Sequence, residues 1–244
     1  MNNTLKTAAF AATTATALVA GAAQADERKF DVGTFDRVHI ATGINAEITL
    51  GQPHTVRAEA RSNILDKLKV EVSSGELSVS VDQSFLDFIL NGGILGGLLF
   101  GENKTTVYIT VPELTAVAAS SGAEVRADRI EADGFEVNAS SGADINLTDF
   151  VGANVDARVS SGADIRMSGT CGALDIRASS GANAHLRDLE CQVVDADASS
   201  GSDIDVTALE EVDAQASSGA NVNIYGSPAR TNVESSSGGD VNTR

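Results

Sequence analysis

Acidic and amide side chains stand two residues after each of a series of evenly spaced glycines: Glu124, Asp144, Asp164, Asn183, Asp203, Asn221 and Asp240. If the units carrying them stack, these side chains form one outward column with carboxylates about 5 Å apart. Carboxylates at that separation repel unless water or a cation lies between them. Asp144, Asp164, Asp203 and Asp205 are therefore the candidate cation ligands, and Asp203 with Asp205 is the densest spot. The spacing differs from the glycine- and aspartate-rich nonapeptide of calcium-binding β-rolls. Arg126, Arg166 and Arg187 are placed to neutralise other acids. A solvated ladder without metal is the reading that this spacing favours.

The other chemically competent residues point to structure. Cys171 and Cys191 follow their repeat glycines by nine and ten residues, which puts them on successive units within disulfide range. In an exported chain a disulfide is the default over two free thiols. His39, His54 and His185 are scattered and show no metal-ligand spacing. The many serines recur at one repeat position with no histidine in the pattern, so a nucleophile–base pair is not indicated. Polysaccharide-active enzymes on parallel β-helices gather acids and a base into one cleft; here the acids are spread along a repeat. The sequence indicates no catalytic residue and no cofactor.

These residues are positioned by the tripeptide Ser-Ser-Gly. It occurs at 120–122, 140–142, 160–162, 179–181, 199–201, 217–219 and 236–238, with glycines 20, 20, 19, 20, 18 and 19 residues apart. Around it, Val137, Ala139, Ser141, Ala143, Ile145 and Leu147 alternate with polar residues, and the later units repeat the pattern. Strict alternation over a dozen residues marks strands with one buried face. Near-identical units imply parallel stacking of equivalent residues. The fold expected is all-β: a parallel β-helix, or β-solenoid, with rungs of about 20 residues. Seven rungs would make a rod section on the order of 34 Å long. The second serine of each tripeptide continues the inward alternation, which predicts a buried ladder of hydroxyls.

A less regular β-rich region precedes the repeats. Val38 to Leu50 alternates like a rung, Gly51-Gln52-Pro53-His54 is a turn, and 62–67 reads as a short helical turn. An isolated Ser73-Ser74-Gly75 joins two short strands and resembles a true hairpin. The apolar segment 84–101 breaks the pattern with large side chains: Phe85, Leu86, Phe88, Ile89, Leu90, Ile94, Leu95, Leu98, Leu99 and Phe100. Three roles fit it: a cap on the end of the rod, a self-association surface, or insertion into a membrane or partner groove. It is short for a membrane span and glycine-interrupted.

Residues 1–25 have the form of a signal peptide. Lys6 precedes an alanine-rich apolar run, and Ala23-Gln24-Ala25 precedes Asp26, which predicts cleavage between Ala25 and Asp26. The organisation expected is a signal peptide (1–25), a β-rich region (26–111) with the apolar insertion, and the repeat solenoid (112–244). The net charge of −17 argues against nucleic acid and anionic lipid as partners. Tryptophan is absent and aromatics are few, which weakens the case for a sugar-stacking platform.

The run from Phe35 to Gly51 carries Gly43-Ile44-Asn45. Together with the hairpin and the later Ser-Ser-Gly-Ala-Asp rungs, it resembles the head GIN domain family of putative auto-transporter adhesins over about residues 33–240. That resemblance implies a β-solenoid-like secreted or surface domain of bacteria, with no established catalytic residues. After the last rung the sequence stops at Arg244 without strands for a membrane translocator, so attachment to a cell is expected to come from elsewhere. The function expected is a non-enzymatic exported binding domain, periplasmic or at the cell surface, whose partner is an unidentified protein or surface ligand. The alternative is a self-associating periplasmic scaffold or envelope sensor, and a homo-oligomer belongs to that reading.

Overall fold

Alternating residues make the strands, and the corners between them decide how the strands stack. The structure is a computed structural model that describes residues 26–82 and 105–244. The predicted apolar surface from Phe85 to Phe100 lies outside the described residues, as does Ala25 of the cleavage site.

The rod begins with β1 (Asp26–Phe30), β2 (Arg37–Ile40), β3 (Asn45–Leu50) and β4 (Thr55–Ala60). A short helix α1 (Ser62–Leu65) follows and buries Ile64 and Leu65. Next come β5 (Leu68–Ser73), β6 (Glu76–Val81), β7 (Thr106–Val111), β8 (Ala116–Ala119), β9 (Glu124–Asp128) and β10 (Glu131–Ala139). The long strands β11 (Asp144–Ser160), β12 (Asp164–Ser179), β13 (Asn183–Ala198) and β14 (Asp203–Ala216) each bend across two faces of the rod. The next rung is built by β15 (Asn221–Gly226) and β16 (Arg230–Ser235), and β17 (Asp240–Thr243) stacks on β15 as the start of another. All pair in one 17-stranded sheet. From β8 onward every pairing among the described residues is parallel, with register shifts confined to the bends of β11 to β14, so the chain coils as the β-solenoid its repeats predict. Among the described residues antiparallel pairs occur only at the N-terminal end, where β4 pairs with β1 and β7, and β5 with β6.

Each Ser-Ser-Gly is a corner. At Ser160-Ser161-Gly162 both Ser161 (φ 55°) and Gly162 (φ 69°) are left-handed, and Ala163 N–H donates to the Ser160 carbonyl at 3.2 Å. Ser74 and Gly75 form the same turn between β5 and β6, and there it makes the antiparallel hairpin that the sequence indicates. In the rod the strands beside the turn do not pair with each other. Each pairs instead with the rungs above and below. The corners are themselves hydrogen-bonded: Gly142 N–H donates to the Ser161 carbonyl at 3.1 Å, and this link recurs from Gly43 to Ser218.

One expectation is overturned here. The second serine of each corner is exposed, so there is no buried hydroxyl ladder. Two successive left-handed residues swing Ser161 outward while Ala163 resumes the inward alternation. The core is filled by Ala, Val, Ile and Leu with Phe135 and Phe150. Among the described residues Ser202 is the one buried polar side chain; it stands where other rungs have Ala143, Ala163, Ala182 and Ala220. Its hydroxyl is satisfied by the Ala178 carbonyl at 3.0 Å and the Ser199 N–H at 3.1 Å.

Chain order and rung order differ at the base. The rung of β6 and β7 lies outside that of β2 and β3. Thr42 (φ 67°) and Gly43 (φ 67°) then make the first corner of the column, in the place a Ser-Gly pair takes in later rungs. The Gly-Ile-Asn run is therefore a corner and the start of a rung.

Cys171 and Cys191 are register partners on β12 and β13 and are joined by a disulfide, with Cα atoms 4.5 Å apart. Both are buried. The bond closes a loop over a sequence separation of 20 residues.

Two outcomes follow from the corners and the staple. A Cβ on Gly162 would meet no atom within 4 Å, so only its φ requires glycine. Gly162→Ala should cost about 1–2 kcal/mol in urea denaturation, whereas Ser161→Gly, which relieves a non-glycine residue from the same region, should not destabilise. Replacing both cysteines by alanine should lower stability by about 3 kcal/mol, the chain-entropy estimate for a loop of this size. Adding reductant should then have no further effect on that variant.

Candidate interaction face

Outward side chains form columns because equivalent residues stack. The column anticipated from sequence is in register, running Glu124, Asp144, Asp164, Asn183, Asp203, Asn221 and Asp240. It is largely self-satisfied. Asn183 Nδ2 donates to Asp164 at 2.9 Å and Asn221 Nδ2 to Asp203 at 2.7 Å. Arg166 lies 3.8 Å from Asp144, and Arg126 pairs with Glu124. Burial raises the Asp144 carboxyl above its ordinary range, with the Asp164 charge adding to the effect. Asp205 belongs to the neighbouring column, where Asn223 Nδ2 donates to it at 3.0 Å. His185 sits between Asp164 and Asp205 at 3.8 and 3.7 Å. Asp144 and Asp164 are thus direct neighbours along the rod, Asn183 separates them from Asp203, and Asp205 stands in the next column. Among the described residues no group of three or more His, Cys, Asp or Glu is placed to hold a metal ion.

A second acidic column, on the other face, was missed in the sequence. Glu136, Asp156, Asp175, Asp195 and Asp213 are register partners on β10 to β14, and Asn232 on β16 continues them. The signal was present: each stands six residues before a repeat glycine.

This second column is unevenly neutralised. Arg158 reaches Asp156 at 3.0 Å and Glu136 at 3.6 Å. Arg177 reaches Asp175 at 2.8 Å and Asp197 at 3.7 Å. Beyond them, Asp195 and Asp213 form no ion pair among the described residues. Burial, then the charges of Asp175, Asp197 and Asp213, hold the Asp195 carboxyl above its ordinary range. The Oδ1 atoms of Asp156 and Asp213 are shielded from solvent and accept no hydrogen bond.

Two furrows run along this face. One, of about 680 Å³, has Gly134, Asn154, Ala173 and Val193 along its floor and Glu136, Asp156, Asp175 and Asp195, with Arg158, along its wall. The other, of about 550 Å³, lies between the Arg158–Glu234 column and the first serines of the corners. The histidines stay apart: His39 Nε2 lies 3.3 Å from Ser120 Oγ, His54 packs on Phe35, and His185 is on the opposite face.

Comparison with known proteins agrees with this architecture. A putative adhesin from Bacteroides fragilis NCTC 9343 superposes with a TM-score of 0.79 at 17% identity, covering 91% of this chain and 98% of that one. A putative adhesin from Parabacteroides merdae ATCC 43184 gives a TM-score of 0.67 at 12% identity, covering 91% and 96%. A putative lipid binding protein from Parabacteroides distasonis ATCC 8503 gives 0.64 at 13%, covering 91% and 97%. At these identities the likeness is one of fold. No curated protein matches the chain. The family model described as putative auto-transporter adhesin, head GIN domain, matches residues 34–228. That span runs from just before β2 to the link between β15 and β16, and on it the chain belongs to the head GIN domain family of putative auto-transporter adhesins.

Proposed function

We propose that the protein is an exported, non-enzymatic interaction module that uses its rod as an adhesin does, by presenting an ordered outer face to a ligand. The observation that carries this reading is the pair of in-register polar columns on stacked strands. They form a rigid array with many equivalent positions, the arrangement expected of a binding surface. Family membership and the printed descriptions of two structural neighbours support it.

An enzymatic reading has less support. The Ser120–His39 pair is the nearest approach to a nucleophile and base, and no carboxylate bonds the histidine's other ring nitrogen among the described residues. A general base of this kind needs a third group to orient it. No helix among the described residues is long and apolar enough to cross a membrane. The signal-peptide form of residues 1–25 supports export, with Asp26 as the first residue of the mature chain and of β1. One observation favours a scaffold as the second reading: β16 leaves Val233 46% exposed at the end of the stack, where another strand can pair.

Protease treatment of intact cells, with a lysed control and antibody detection, separates the two. The adhesin reading expects digestion on intact cells. Protection until lysis would overturn it and favour the periplasmic scaffold.

A further inference from the structure

We propose that the furrowed sheet face bearing Glu136, Asp156, Asp175, Asp195 and Asp213 docks an extended, lysine- or arginine-rich polypeptide segment of a partner. This names a partner chemistry for the interaction module proposed above and rests on that reading.

Charge complementarity is the first argument. The rungs set these carboxylates about 4.8 Å apart, and the compensating cations are confined to one end. Arg158 and Arg177 serve Glu136, Asp156, Asp175 and Asp197. Farther along, the two outward columns hold Asp195, Asp213, Gln215 and Glu234 and no basic side chain. Arg230, at the furrow's margin, is already bound to Glu211. Asp195 is exposed and forms no ion pair among the described residues, so cationic N–H donors can reach it with charge-assisted bonds.

The second argument is independent of charge. The furrow floor beside this wall is mostly apolar: Gly134, Ala173 and Val193, with Val193 39% exposed, interrupted by Asn154. A lysine or arginine side chain matches both surfaces at once, since its methylene stem covers apolar area while its head reaches a carboxylate. A bare metal ion would leave Val193 uncovered. A second copy of the chain, itself at −17, would be repelled.

The opposite face supplies the control. It is also acidic, yet Asn183, Asn221 and Asn223 place amide donors on Asp164, Asp203 and Asp205, whereas among the described residues the furrow wall has amide donors at its two ends, Asn138 on Glu136 and Asn232 on Asp213. Net charge alone predicts equal binding by both faces, whereas docking in the furrow predicts binding by one.

The test is fluorescence anisotropy with the purified full chain and a labelled octapeptide alternating lysine and valine. Two variants remove the same charge from different faces: Asp175→Asn/Asp195→Asn/Asp213→Asn and Asp144→Asn/Asp164→Asn/Asp203→Asn. The first should weaken binding about tenfold, as expected of three partly exposed pairs, and the second less than about twofold. Val193→Ser, which leaves the charge unchanged, should weaken binding about threefold through lost apolar contact. Equal losses in the two triple variants would overturn the proposal in favour of non-specific attraction, as would failure of the unaltered protein to bind at low salt. Because this assay is blind to location, its failure is distinguishable from protease protection on cells, which bears only on the adhesin reading.

Discussion

Every rung of this rod depends on two consecutive left-handed residues. Without them an alternating strand runs on; with them it can also fold back on itself as a hairpin, as the β5–β6 pair does with the same tripeptide. What makes a corner into a coil is the neighbour. Each corner glycine donates its N–H to a carbonyl of the next corner, from Gly43 through Ser218. The strands on either side find parallel partners above and below, and those partners are available only because the next unit has the same length. Local conformation, inter-corner hydrogen bonds and repeat length are thus one constraint. This explains why the glycines hold their spacing while the residues between them vary.

Much of this was legible in the sequence, for a physical reason. Period-two alternation and a fixed repeat both survive averaging over imperfect copies, so fold and inward residues such as Ile145, Ile165 and Ile176 could be read directly. The path through the corner could not. Ser161 has the right parity to point inward, and only its φ sends it out. The order of rungs at the base was equally hidden, because the β6–β7 rung enters the stack outside β2 and β3 although it follows them in the chain. Of the surface, the acid column after the glycine was found and the one before it was missed. Neither column's state of neutralisation could be judged without knowing which arginine reaches which carboxylate.

The two acidic columns show how similar composition gives different surfaces. Amides at Asn183 and Asn221 divide one column into bonded pairs. The other runs through five carboxylates without an amide until Asn232. Repulsion within it works against folding, yet the protein holds it in place with backbone pairing on both sides of every strand. A rod is well suited to this, because its stability comes from repeated local contacts and tolerates an unfavourable stripe on one face.

The link between Cys171 and Cys191 also has a mechanical meaning. In a stack of parallel rungs, tension applied at the C-terminal end peels strands away one at a time, since each is held chiefly by the rung beneath. Peeling that reaches Cys191 meets a covalent bridge to the rung below. Load then passes through the sulfurs directly to Cys171, and the residues between them bear none of it. The disulfide thus divides the rod into a distal part that can be drawn out and a proximal part, with its antiparallel base, that is shielded while the distal part lengthens.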